Sequence, residues 1–280
     1  MLDLLENYIS NNWYNFHLPF PFPQKLSYLF WKGFRKKIFL VFKDNDSQPF
    51  AVLKMTNNPI VFDRLLRENE TLTYLSTKGT LKGQVPVALA FFEMWGHMCL
   101  FETALEGAPI VYSIKGISTG RGLIRMKEIF SHVVNILVTL NKPGPLHDVD
   151  TKQQTVVEHG DFEPSNLLLS RTGIKILDWE YSTLQGSPFK DLLDFSLRYV
   201  HLARYLMNEV SREQPVLSDF EDTFFSTRPY ARIIWESLNR YSDRIGLDKS
   251  SMRDILSIFA GKYLNERDAQ TFCRNLNTVL

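Results

Sequence analysis

The run His159-Gly-Asp161-Phe-Glu-Pro-Ser-Asn166, followed by Ile174-Lys-Ile-Leu-Asp178-Trp-Glu180, restricts this chain more than any other feature. Glycine and proline mark the first run as a loop. The second reads as a short apolar strand that ends on a carboxylate. Asp161 and Asn166 therefore stand five residues apart on a loop, and Asp178 follows at a strand end. One carboxylate can orient a hydroxyl and accept its proton. An amide oxygen and a second carboxylate suit Mg²⁺, a hard cation that keeps phosphate oxygens in its shell. Acid, amide and acid at this spacing are what phosphoryl transfer requires.

Before the loop, Pro19, Pro21 and Pro23 alternate with Phe20 and Phe22 and exclude a helix there. Leu26–Trp31, Lys37–Phe42 and Phe50–Met55 are short runs rich in aromatic and aliphatic residues, separated by turn segments. They read as an antiparallel meander. Phe62 to Leu75 has a helical apolar period. Two further strands are expected at Pro86–Phe92 and His97–Glu102. The first hundred residues thus read as five strands with a helix after the third.

Gly122 to Leu140 is an amphipathic helix by pattern. A break at Pro143-Gly-Pro145 leads to a strand at about Thr155–Glu158 and then to the loop. Leu192–Val210, Tyr230–Ile245, Ser251–Tyr263 and Asp268–Leu280 read as helices, with Ser211–Phe225 a polar connection. The expected division is 1–104 and 105–280, with the boundary at about 102–107. The fold class is α+β.

Lys54 sits among apolar neighbours in the third expected strand. There it can project to nucleotide phosphates, or it can be an edge-strand lysine facing water. Glu68 stands four residues before Leu72 and seven before Leu75, beside the apolar face of the helix. A carboxylate so placed needs a partner, and Lys54 is the candidate. Glu70 lies on nearly the opposite side of the helix. His159 is read as a residue that orients the loop through backbone hydrogen bonds. A competing reading groups His147, Asp148, His159 and Asp161 as a phosphohydrolase metal site, but those chemistries place the pair on helices and the flanks here are loop and strand.

Taken together, His159–Asn166, Ile176-Leu-Asp178-Trp-Glu180, Gly186-Ser-Pro188-Phe-Lys-Asp191, Arg67–Leu75 and Phe101–Pro109 resemble the aminoglycoside phosphotransferase and choline kinase branch of the protein-kinase-like fold. The resemblance runs from about residue 26 to 200. It implies a two-lobed fold that binds ATP and Mg²⁺ between an antiparallel-sheet lobe with one helix and a mostly helical lobe. It implies a Lys54–Glu68 ion pair, adenine on the backbone of Glu102, Thr103 and Ala104, and Asp161 as base. Asn166 and Asp178 would be metal ligands, Glu180 would touch metal or substrate, and Asp191 would brace the loop.

Two departures stand out. The turn between the first two strands, Trp31-Lys-Gly33-Phe-Arg-Lys-Lys37, carries a single glycine and four basic residues. Glu163 replaces the histidine or small residue common in the family. The expected activity is transfer of the ATP γ-phosphate to a hydroxyl of a small metabolite, a sugar or glycoconjugate among the candidates. The alternative is a weak or inactive kinase-like scaffold that binds nucleotide. Only eight residues separate Asp178 from Ser187, too few for a peptide-binding activation segment.

Composition narrows partners and compartment. With 32 basic and 31 acidic residues the net charge is +1, and no basic excess points to nucleic acid or to an anionic membrane. The longest apolar runs are too short to span a bilayer, and the start lacks a signal-peptide pattern. Cys99 and Cys273 are far apart and read as free thiols of a reducing cytoplasm.

Overall fold

The structure is a computed structural model that describes residues 2–18, 20–33, 35–114, 116–141, 156–210, 217–247 and 249–279. The expected break at Pro143–Pro145, the His147–Asp148 pair, Thr155 and the first part of the 211–225 connection lie outside the described residues. The chain forms two compact units. One is Met1–Glu106 with Leu177–Tyr181, and the other is Gly107–Ile176 with Ser182–Leu280.

The first unit opens with α1 (Leu2–Asn12), closed by a 3₁₀ turn over Trp13–Phe16. The sequence reading assigns no element here. Leu5, Ile9, Trp13 and Phe16 nevertheless recur at helical spacing, and all four are buried. The prolines at 21 and 23 act only after this segment. The apolar stripe lies on one face of a sheet made by β1 (Leu26–Lys32), β2 (Lys37–Lys43), β3 (Ala51–Thr56), β4 (Ala88–Met94) and β5 (His97–Thr103). The strand order is β1-β2-β3-β5-β4, antiparallel throughout. Phe39, Val41, Leu53, Met55 and Phe101 form that core with α1. Phe16 meets Phe101 at 5.0 Å between ring centroids, and Tyr8 stacks on Phe92 at 4.1 Å.

Residues in a strand alternate between faces. Leu53 and Met55 join the α1 core, so Val52, Lys54 and Thr56 take the other face. That face receives α2 (Pro59–Thr77). Asn58 caps α2, its Oδ1 accepting from the Ile60 N–H at 3.0 Å, and Pro59 fits the first turn because its missing N–H is not needed there. The buried stripe of α2 is Val61, Leu65, Glu68, Thr71, Leu72 and Leu75. Val61 and Leu65 pack on Leu100 of β5.

The second unit contains β6 (Ala108–Pro109), α3 (Gly120–Asn141), β7 (Val156–Glu158), β8 (Leu167–Ser170), β9 (Gly173–Ile176), β10 (Thr183–Gly186), α4 (Lys190–Leu206), α5 (Leu217–Phe224), α6 (Pro229–Ile245), α7 (Lys249–Tyr263) and α8 (Glu266–Val279). Strands β6, β8 and β9 form one small sheet, and β7 pairs with β10. Helix α3 buries Met126, Ile129, Phe130, Val133 and Leu137, a period of three to four. Phe130 touches Phe195 and Tyr199 of α4 at 5.1 and 5.4 Å.

The polar, partly looped connection expected at Ser211–Phe225 is helical over its second part. Residues 217–224 are helix α5, because Phe220 and Phe224 supply an apolar face that packs on Phe272. Asp219 on the same helix is fully buried and accepts from Arg204 at 2.6 Å.

The N-terminal helix is expected to contribute to the stability of the first unit. Ile9→Ala should cost about 2–4 kcal/mol in denaturant unfolding, as large-to-small core changes do. Tyr14→Ala, at 88% exposure, should stay within about 0.5 kcal/mol.

Candidate active site

In the first unit the side-chain alternation of β3 carries Lys54 into the interior beside α2. Its ammonium lies 2.6 Å from Glu68 Oε1, 3.1 Å from Glu102 Oε1 and 3.3 Å from Asp178 Oδ1. Glu68 and Glu102 are both buried, at 0% and 3% exposure. Glu68 also accepts the Trp179 N–H at 2.9 Å. That bond fixes the backbone beside Asp178. Asp178 has φ of +59°, a left-handed conformation that few residues other than glycine, asparagine and aspartate take without strain. The conformation sits where a strand ends and a carboxylate is presented.

Three carboxylates share the Lys54 ammonium, and a second cation enters. Lys36 Nζ, from the turn closed by Gly33 N–H to Lys36 O, lies 3.0 Å from Asp178 Oδ1 and 2.9 Å from Glu180 Oε2. The sequence treats Lys36 only as one of four basic residues in that turn. Its signal is the scarcity of glycine itself, since a turn without free backbone contacts leaves side chains to supply the charge. The Thr56 hydroxyl, which donates to Arg35 O at 2.8 Å, ties this turn to the end of β3.

The electrostatics follow. Burial opposes ionisation of Asp178, but Lys54 and Lys36 outweigh it and hold the carboxyl well below its ordinary range. Glu68 goes the other way. Burial raises it more than Lys54 lowers it, because Glu102 and Asp178 share the same cation, and the carboxyl is pushed up to about 7. Glu102 is also raised, by burial first. One oxygen of each, Glu68 Oε2 and Glu102 Oε2, is buried without a hydrogen-bond partner, which fits carboxyls that carry a proton part of the time.

The expected hinge residues are engaged in strand contacts. Thr103 N–H donates to Val87 O at 3.0 Å and Ala104 N–H to Phe50 O at 2.9 Å. Glu102 pairs with Val52 and Ala88 in the sheet while its side chain turns to Lys54.

In the second unit the loop after β7 gathers His159, Asp161, Asn166 and Asp191. Asp191, in the first turn of α4, accepts from His159 N–H at 2.7 Å and Gly160 N–H at 3.0 Å. Burial pushes its carboxyl up to about 6, the two N–H donors offsetting only part of that. Gly160 has φ of +82°, which the sharp entry into the loop requires. His159 is fully buried and its Nδ1 accepts from Asp161 N–H at 3.3 Å. Phe162 anchors the loop on Phe195 of α4 at 6.1 Å.

Asn166 donates its Nδ2 to Asp161 O at 2.9 Å and to Asp161 Oδ2 at 3.0 Å. This fixes which way the amide faces and leaves Asn166 Oδ1 as an acceptor. Glu163 is held by Arg198 of α4 at 3.1 Å and by Ser165. Sequence reasoning passes over Arg198 because its link to the loop is made by the packing of α4, not by spacing. Within each unit an oxygen donor of the kind a hard divalent cation takes is presented. Asp178 is kept ionised and about a third exposed, and Asn166 offers a free amide oxygen.

No protein-family model and no curated protein matches the chain. Its fold is similar to the solved structures of the aminoglycoside phosphotransferase APH(3'')-Id from Streptomyces rimosus. One is the protein alone and the other its complex with ADP and streptomycin. In both cases the identity is 12%, the match covers 99% of this chain and 98% of that one, and the TM-score is 0.50. That likeness is one of fold, and the fold is of the expected α+β class. No helix among the described residues is long and apolar enough to cross a membrane.

The raised carboxyls set a pH dependence. Glu68 and Asp191 bind protons more tightly folded than unfolded, so their contribution is present at low pH and fades as pH rises through about 6 to 7. Thermal melts of the protein should show the midpoint falling between about pH 5 and about pH 8. Glu68→Gln should flatten that slope. A midpoint that climbs over this window would contradict the assignment.

Proposed function

We propose that this chain is an ATP-dependent kinase that transfers the γ-phosphate to a hydroxyl of a small molecule. The observation that carries this is the meeting of Lys54 from β3, Glu68 from α2 and Asp178 from the segment after β9 around a single ammonium. A buried cation with three carboxylates is a poor device for stability alone, since desolvation of such groups consumes most of their attraction. It makes sense as a preset receptor for phosphate charge. The first unit takes the role of nucleotide-binding lobe and the second that of catalytic and acceptor lobe.

Each residue then has a role. Glu68 holds Lys54, and Lys54 bears on the nucleotide phosphates. Asp178 and Asn166 would hold Mg²⁺, which would supply charge neutralisation at the phosphates. Asp161 orients the acceptor hydroxyl and takes its proton, with Asn166 Nδ2 fixing the carboxylate rotamer. Asp191 and His159 hold the loop in place. Glu102, Thr103 and Ala104 are the adenine-side backbone, with carbonyls as the remaining contacts where the amides are already bonded.

The acceptor is read as a sugar or glycoconjugate hydroxyl. A small molecule fits because β10 and α4 follow Asp178 at once, leaving no peptide-binding segment. A cationic acceptor is disfavoured at the acidic cluster of α5, where Asp219 already pairs with Arg204 and His201. The compartment consistent with two free thiols is the cytoplasm.

A second reading, a nucleotide-binding scaffold without turnover, is favoured by one contact. Lys36 sits on the carboxylate that would hold the metal. The two separate in one experiment. ATP consumption is followed with and without Mg²⁺ over sugars, choline and aminoglycosides. For a kinase, Asp161→Ala should lower turnover by about 10²–10⁴-fold. Nucleotide binding with no turnover on any acceptor supports the scaffold.

Lys36→Met refines this. It should lower the Mg²⁺ concentration needed for ADP binding, measured by calorimetry, because the cation no longer competes with an ammonium for Asp178. Unchanged Mg²⁺ dependence would mean that Lys36 leaves Asp178 freely.

A further inference from the structure

The turn and strand ends of the first unit also line a cavity of about 210 Å³. Its lining includes Lys32, Arg35, Lys36, Lys37, Thr56, Asn58 and His97, and no carboxylate, although the Lys36 ammonium itself reaches out to Asp178 and Glu180. Lys32 and Lys37 are directly opposite each other in the β1–β2 ladder, so their side chains share a face. Like charges in that position destabilise a sheet. Among the described residues neither lysine has a carboxylate within ion-pair distance, although the unit contains many acids.

Lys32, Lys37 and His97 come from the face away from Lys54, whereas Thr56 comes from the Lys54 face. Lys37 pairs with Met55, whose side chain belongs to the α1 core, whereas Ile38 pairs with Lys54. Lys37 Nζ lies 3.3 Å from His97 Nε2, and His97 Nδ1 lies 3.0 Å from Trp95 O. A carbonyl can only accept, so Nδ1 carries the hydrogen and Nε2 the lone pair that meets the ammonium. His97 thus places Lys37 without neutralising it. Asn58 spends its Oδ1 on the cap of α2, which leaves its amide nitrogen as a donor.

We propose that this cavity is an anion site for a phosphate group, distinct from the Lys54 cluster, with Lys36 standing in the wall between the two. Its volume is below the ~300–1,000 Å³ of sites that take drug-sized ligands, so a single phosphoryl group fits and a nucleotide does not. Phosphate brings two charges and several acceptor oxygens to a wall of donors. The site relieves the uncompensated lysine pair, and it does not depend on the kinase reading.

Calorimetric titration of the full chain with inorganic phosphate tests it, with chloride at matched ionic strength as reference. Saturable binding is expected. Lys37→Met should weaken it about tenfold, the loss of one hydrogen bond to a charged group. His97→Gln should weaken it as well. Lys37→Arg, which keeps the charge, and Lys78→Met, an exposed lysine elsewhere, should leave it within about twofold. Circular dichroism of each variant confirms the fold. β-Glycerophosphate is titrated alongside. Tighter binding of the ester marks the phosphoryl group of a larger metabolite as the ligand, and equal or weaker binding marks the free ion. No saturable phosphate binding, or equal affinity in wild type and Lys37→Met, overturns the proposal. Loss of kinase turnover on every acceptor with phosphate binding intact would defeat the kinase reading and leave this site standing.

Discussion

One buried ammonium organises the first unit. Lys54 cannot lie where β3 puts it unless charge is supplied around it, and three elements supply it. Glu68 explains why α2 packs with a carboxylate inside its apolar stripe. Glu102 explains an acid in the last turns of a central strand. Asp178 explains why residues 177–181 join this unit and not the one that precedes them in sequence. Cations and anions are unequal in number here, so the cluster keeps excess negative charge. Burial raises Glu68 and Glu102, the neighbouring carboxylates add to that rise, and Lys36 pairs with Asp178.

The second unit solves a different problem with backbone. Its loop must hold Asp161 in one orientation without burying it. Asp191 takes two N–H groups from below, His159 takes a third, and Asn166 grips the carboxylate and its own carbonyl. Every one of these bonds except the last, Asn166 Nδ2 to Asp161 Oδ2, involves a main-chain atom. The result is a loop in which Asn166 fixes the Asp161 carboxylate through one oxygen, Oδ2.

Much of this was legible in the sequence, for definable reasons. The five sheet strands and α2 show because their periods are clean and their breaks carry asparagine, glycine or proline. The loop residues show because their types are rare in combination. What stayed hidden depended on packing. Helix α1 is masked by the aromatic and proline-rich stretch beside it, though Leu5, Ile9, Trp13 and Phe16 carry the period. Helix α5 is short and reads as polar because two of its three acids, Asp219 and Asp222, answer to Arg204, a residue on another helix. Lys36 and Arg198 act through contacts that no spacing encodes. The placement of Lys37 and His97 is hidden too, since it needs the register of three strands, β2, β3 and β5.

The segment Leu177–Tyr181 has a consequence for the order of events at the ribosome. The first unit is finished only when this segment arrives, about 75 residues after Glu106 has been made. At ~5–20 residues per second that is roughly 4–15 s of synthesis. During that interval Glu68 lacks the Trp179 N–H, and Lys54 lacks its third anion. The nascent sheet must wait with an incomplete charge cluster, and its maturation is timed by translation of a distant stretch of message.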